Sequence, residues 1–158
     1  MERKKVIRVL KFGIIGVILL TVTLFALSVY TLFTGLTGAV SEGTFGLNLD
    51  KNGPNSDWVL RFNGNPKNPG LMGTRIFIQI GILDLTGQPI AMNSTSVNLS
   101  PGEQQSFTLV LTIPYTDVQK YNLTGTQAQA VFEMNFGIHT LFNLVGFTQT
   151  MRITGGVT

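Results

Sequence analysis

Apolar residues run without a single charge from Phe12 to Ser41, and beyond residue 44 the rhythm changes to short stretches in which they alternate with polar ones. The first pattern predicts a helix that needs no aqueous face. "FGIIGVILLTVTLFALSVYTLF", Phe12 to Phe33, would reach about 33 Å at ~1.5 Å per residue, against a hydrocarbon core near 30 Å. Its backbone groups are satisfied within the helix, so poor helix formers such as Val22 and Thr23 cost little there. The small, polar "TGLTGAVSEG" that follows predicts a short tether. The chain thus divides into a basic tail over 1–11, a transmembrane helix over 12–34, a linker over 35–43 and a domain over 44–158.

The second pattern predicts strands. "TFGLNLD" alternates Phe45, Leu47 and Leu49 with smaller residues, and "DWVLRFNG" follows the turn-rich "KNGPNS". In "TRIFIQIGILDL", Ile76, Ile78, Ile80 and Ile82 point one way, as core, and Arg75, Phe77, Gln79 and Gly81 the other. Phe77, with Leu83 further along, is expected on the opposite face, where outward apolar residues suggest a covered surface. "DLTGQPI" is a hairpin turn, "SVNL" leads into the Pro101-Gly102 turn, and a strand from about Gln105 to Ile113 ends at Pro114. "YTDVQKY" predicts one helical turn with Thr116 as cap and Gln119 at capping-box spacing. "AQAVFEMNFGIHT" and "NLVGFTQTMRI" close the chain, joined at Leu141-Phe142. About seven short strands with almost no helix predict a mainly β domain, an immunoglobulin-like β-sandwich preceded by one transmembrane helix.

Composition supports the membrane reading: apolar residues make up 44% and charged ones 12%, with mean hydropathy +0.29. Five of the 11 basic residues (Arg3, Lys4, Lys5, Arg8, Lys11) precede the helix beside a single acid, Glu2. The positive-inside rule then keeps the amino terminus cytoplasmic and places the domain outside the cell membrane. What remains after residue 11 is nearly neutral, which leaves a nucleic-acid role without a basic face. The apolar core exceeds the roughly 7 to 15 residues of a signal peptide and offers only "TGA" as a cleavage site, favouring a retained anchor. A prepilin-type leader cut beside Gly13 is the alternative, although "LKFGIIG" lacks the basic residue before glycine typical of archaeal pilins.

Cysteine is absent, so the external domain must be held by its core. Three N-glycosylation sequons begin at Asn93, Asn98 and Asn122. The only histidine, His139, has no metal-ligating companions nearby in sequence, and a structural role is expected. No "GxSxG" or phosphate loop accompanies the serines and glycines, and the eight acids are scattered. Trp58 and Phe62 share a strand face with Leu60, as core residues do. No catalytic residue, metal site or cofactor is expected.

The stretch "RFNGNPKNPG", Arg61 to Gly70, has two Asn-Pro dipeptides, which favour extended geometry, and two glycines, which permit sharp turns. It reads as a crossing between the two sheets. Together with "GQPIAM", "LSPGEQQSFTLVLTIP", "YTDVQKY" and the two closing strands, it resembles the late-embryogenesis-abundant type 2 domain, the LEA14-like or water-stress fold also present in archaea. The likeness runs from about Trp58 to Ile153; "NPK" stands where that family commonly has "NPN", and the helical segment is short. What the resemblance implies is a fibronectin/immunoglobulin-like β-sandwich without enzymatic activity, tethered by one amino-terminal helix, and no binding residue to carry over. The expected function is therefore a non-catalytic, membrane-anchored envelope module. Its partners would be the lipid bilayer and other envelope subunits or copies of itself; the alternatives are a pilin-like filament subunit and an accessory subunit of a larger membrane complex.

Overall fold

A computed structural model of the chain describes residues 2–39, 45–51, 53, 55–124, 130–141 and 143–154, with helix side chains from residue 11 to 35. The long apolar run forms helix α1, Glu2–Ala39. Several of its hydroxyls find partners within it: Thr21 Oγ1 donates to the Val17 carbonyl (2.9 Å) and Ser28 Oγ to that of Leu24 (2.8 Å). Such back-bonding gives these hydroxyls an acceptor inside the helix itself. Residues 11 to 26 are all exposed, and Lys11–Gly35 is long and apolar enough to cross a membrane. The helix continues through Ala39, five residues into the segment expected as a linker; 40–44 lie outside the described residues.

Seven strands follow: β1 (Phe45–Lys51), β2 (Trp58–Gly64), β3 (Thr74–Asp84), β4 (Pro89–Leu99), β5 (Phe107–Ile113), β6 (Ala130–Thr140) and β7 (Val145–Thr154), with helix α2 (Tyr115–Lys120) between β5 and β6. They form two antiparallel sheets, β1-β2-β5 and β4-β3-β6-β7, stacked as a sandwich. The expected mainly β sandwich, preceded by one apolar amino-terminal helix, is what the structure shows. Ile76, Ile78, Ile80 and Ile82 of β3 are buried against Trp58, Leu60 and Phe62 of β2 and Leu109, Leu111 and Ile113 of β5. Phe45, Phe62, Phe107 and Phe136 pack ring to ring, with Phe45 and Phe62 stacked at 5.5 Å.

Three local expectations needed correction. β4 begins at Pro89 rather than near Ser96; as an edge strand with a mostly exposed pattern it carries "NSTS" without an apolar alternation to betray it. Thr116 does not cap α2: the helix starts at Tyr115 with Pro114 in the cap position, two residues earlier than expected and with no side-chain cap of its own, and the Tyr115 N–H is taken by Asp57 Oδ1 (2.9 Å) from far along the chain. Leu83 is buried rather than outward; the β3–β4 register shifts between Ile82 and Leu83, which breaks the strict alternation. Phe77 does lie on the outer face, half-buried.

Candidate functional site at the helix–sandwich junction

β2 belongs to one sheet and β3 to the other, so residues 65–73 cross between them, as the Asn-Pro pattern predicts. The crossing is organised by Asn68, which is 1% exposed. Its Nδ2 donates to the carbonyls of Met72 (2.8 Å) and Leu99 (3.1 Å), and its Oδ1 accepts the Gly70 N–H (3.0 Å). Its backbone N–H donates to the Glu103 carbonyl (2.8 Å), and its own carbonyl accepts from Gly102 (2.7 Å). One side chain therefore satisfies three backbone groups, two of them buried, while its backbone stitches the loop to the Pro101-Gly102 turn. That turn is pinned in its own right, because Glu103 Oε2 accepts the Ser100 N–H (2.7 Å) and Gly102 sits at φ +79°, which favours glycine.

The organised loop receives α1. Ser28 and Thr31 are fully buried, Leu32 packs against the core, and a Cβ on Gly35 would lie in ordinary contact, 3.9 Å, with Ile138 Cγ2. The Leu71 N–H donates to Thr31 Oγ1 (3.3 Å), and Ser28 Oγ lies 3.4 Å from Met72 Sδ. Gly70 leaves the room: a Cβ there would come within 2.9 Å of both Thr31 Cβ and Oγ1. The last turns of the helix are thus part of the domain's own packing. The Asn-Pro pattern marked Asn68 and Gly70 as turn geometry, not as a socket for the helix, and nothing marked Thr31. The signal that was there to be read is a run of small residues, Ser28, Thr31 and Gly35, along one side of an otherwise bulky helix, the composition that close helix packing demands.

Beside the junction, at the same end of the four-stranded sheet, an open groove of about 460 Å³ is lined by Arg75, Asn98, Ser100, His139 and Asn143 among others. His139 is half-buried and lies over two glycines: a Cβ on Gly146 would clash with Nδ1 of its ring, and one on Gly137 would sit 3.2 Å from Nε2. Above it the outer sheet face carries a polar ladder. Asn135 Nδ2 donates to Gln79 Oε1 (2.9 Å) and Glu133 Oε1 (3.1 Å), and Arg152 Nε bonds Glu133 Oε2 (2.6 Å). Among the described residues no group of three or more His, Cys, Asp or Glu is placed to hold a metal ion. At the opposite end of β3, Asp84 is held below the usual carboxylate range by the Thr86 hydroxyl and then by the Gln88 N–H, both donating to Oδ1.

The sequon asparagines fall in three settings. Asn93, exposed on the edge strand β4, lies opposite Ile80 by register, and its Nδ2 donates to the Val110 carbonyl (2.7 Å), tying β4 to β5. Asn98 is exposed at the groove, and Asn122 is exposed after α2 with φ 47°. The other flank of the sandwich is open: Leu47 of β1 and Phe147, Met151 and Ile153 of β7 face inward by register yet are 40 to 54% exposed.

No protein-family model matches the chain, and no curated protein matches it. Among solved structures, 71% of it overlays part of a Bacteroides uniformis beta-glucuronidase with TM-score 0.49 and 10% identity, spanning 13% of that enzyme's chain. A glycosyl hydrolase family 2 member from Bacteroides cellulosilyticus is similar over 70% of this chain and 14% of its own, at 9% identity and TM-score 0.45. A protein from Archaeoglobus fulgidus is similar over 72% of this chain and 97% of its own, at 10% identity and TM-score 0.39.

Proposed function

We propose that the chain is a non-catalytic, single-pass membrane protein of the cell envelope that displays its β-sandwich outside as a structural or interaction module. The observation that carries this reading is the division of α1 into two parts. Residues 11 to 26 offer exposed apolar side chains on every side, as lipid requires, while Ser28, Thr31 and Gly35 are buried against the domain. A cleaved signal peptide would have no reason to complete the packing of the mature domain. The basic tail supports a cytoplasmic amino terminus. The relationship to LEA14-like domains belongs to the same proposal and rests on the order of motifs from Trp58 to Ile153.

Alkaline carbonate extraction and protease digestion of intact cells test it. The full-length chain should stay in the membrane pellet, and external protease should remove the sandwich while leaving the tail. Release of the chain by carbonate overturns the reading. A second reading, an accessory subunit of a larger membrane complex, is favoured by the exposed inward-facing side chains of β1 and β7. Native sizing after gentle detergent extraction decides it, a monomer counting against.

A further inference from the structure

The sandwich has two ends, and α1 identifies the one that faces the bilayer. Going up the helix, Ser28 meets Met72, Thr31 meets Gly70 and Leu71, and Gly35 meets Ile138. The contacts move from the crossing loop into the body of β6, so the loop end lies toward the exposed span. The β6–β7 hairpin turns at that same end, because Thr74, which follows the loop, pairs with Thr140. Both connections put a leucine into solvent: Leu71 is 63% and Leu144 79% exposed.

Single exposed leucines are ordinary, and Leu85, at the far end of β3, is 64% exposed as well. Position is what separates them. From Lys11, the last charge before the span, to Thr31 is 20 residues, or about 30 Å of helix, the thickness of a hydrocarbon core. Thr31 therefore stands at the outer boundary when Lys11 stands at the inner one, and the Leu71 N–H is bonded to Thr31. At the same level Tyr30, 53% exposed, turns away from the domain, an aromatic residue where membrane helices favour them. Arg75, next to Thr74 at the start of β3, lines the groove at this end of the sheet and supplies a cation suited to headgroup phosphates.

We infer that the sandwich does not stand off from the membrane on a stalk but rests on it, with Leu71 and Leu144 inserted into the outer leaflet around the helix. The partner of this surface is lipid. The inference rests on reading α1 as a membrane span, and the test separates the two. The chain has no cysteine, so Leu71→Cys, Leu144→Cys, Leu85→Cys and Leu19→Cys variants each carry one environment-sensitive fluorophore at an exposed position. The full chain is reconstituted in phosphatidylcholine vesicles containing some phosphatidylglycerol, and quenching is measured with shallow spin-labelled lipid for positions 71, 144 and 85 and with deep spin-labelled lipid for position 19. Labels at 71 and 144 should be quenched several-fold more than the label at 85, with blue-shifted emission. Equal, weak quenching at 71, 144 and 85 with strong quenching at 19 overturns the inference and leaves the anchor standing. Absence of quenching at 19 overturns both.

Discussion

Thr31 of the helix and Gly70 of the crossing loop touch, and they can do so only because position 70 has no side chain. Gly70→Ala should separate helix from domain or strain both, at a cost of about 1–3 kcal/mol typical of overpacking. Thr31→Ser removes the methyl group while keeping the hydroxyl that accepts from Leu71. Thermal unfolding in detergent should show Thr31→Ser recovering part of the loss in the double variant and little change alone; equal losses with and without it would disprove the contact's importance.

Asn68 is the costlier residue to lose. Asn68→Ala leaves the carbonyl of Leu99 and the N–H of Gly70 without this partner and leaves Met72 only the longer bond from Thr74 Oγ1, and each buried orphan costs roughly 1–3 kcal/mol. Chemical denaturation should place this variant well below a Pro66→Ala/Pro69→Ala double variant, which relaxes the loop but keeps the bonds. The reverse order would mean that proline geometry, not the amide, holds the crossing.

Acid should loosen the β3–β4 hairpin. The folded-state pKa of Asp84 is depressed, so its contribution is present above the unfolded value of 3.8 and is lost as pH falls through the lower folded value. Asp84→Asn keeps an acceptor oxygen without the titration. Melting temperatures followed from neutral pH to below 3.8 should therefore fall less steeply for the variant than for the parent; parallel curves would remove Asp84 from the account.

Of the three sequons, Asn122 is the acceptor to expect in a host that glycosylates such sites. The Asn93 amide is occupied by the Val110 carbonyl, and Asn98 lines the groove beside the helix–sandwich junction. Asn122→Gln should abolish most of the mass added by glycan, and Asn93→Gln should leave it unchanged while lowering stability.

Much of this architecture was legible because burial and periodicity coincide. The β3 isoleucines alternate, so their inward face could be read directly, and the charge-free run announced α1 by length alone. β4 was hidden because an edge strand needs few apolar residues. The cap of α2 was hidden because its partner, Asp57, comes from 58 residues away. The junction was hardest for the same reason: Asn68 acts on Leu99, 31 residues on, and Thr31 on Leu71, 40 residues on. Serine, threonine and glycine in a membrane helix also carry no mark of whether they meet lipid or protein. The loop itself was marked by its Asn-Pro pairs as a sheet crossing; that it is also the socket for the helix appears only once the chain is folded.

The Asn93–Val110 bond makes the sandwich asymmetric in a way that bears on its motions. It binds the two sheets along the β4/β5 side like a spine, whereas among the described residues no hydrogen bond joins β1 to β7 across the other. The two sheets are then free to part at one margin only. Amide exchange should be fastest in β1 and β7 and slowest in β3, and Asn93→Ala should bring β4 and β5 up toward the fast margin.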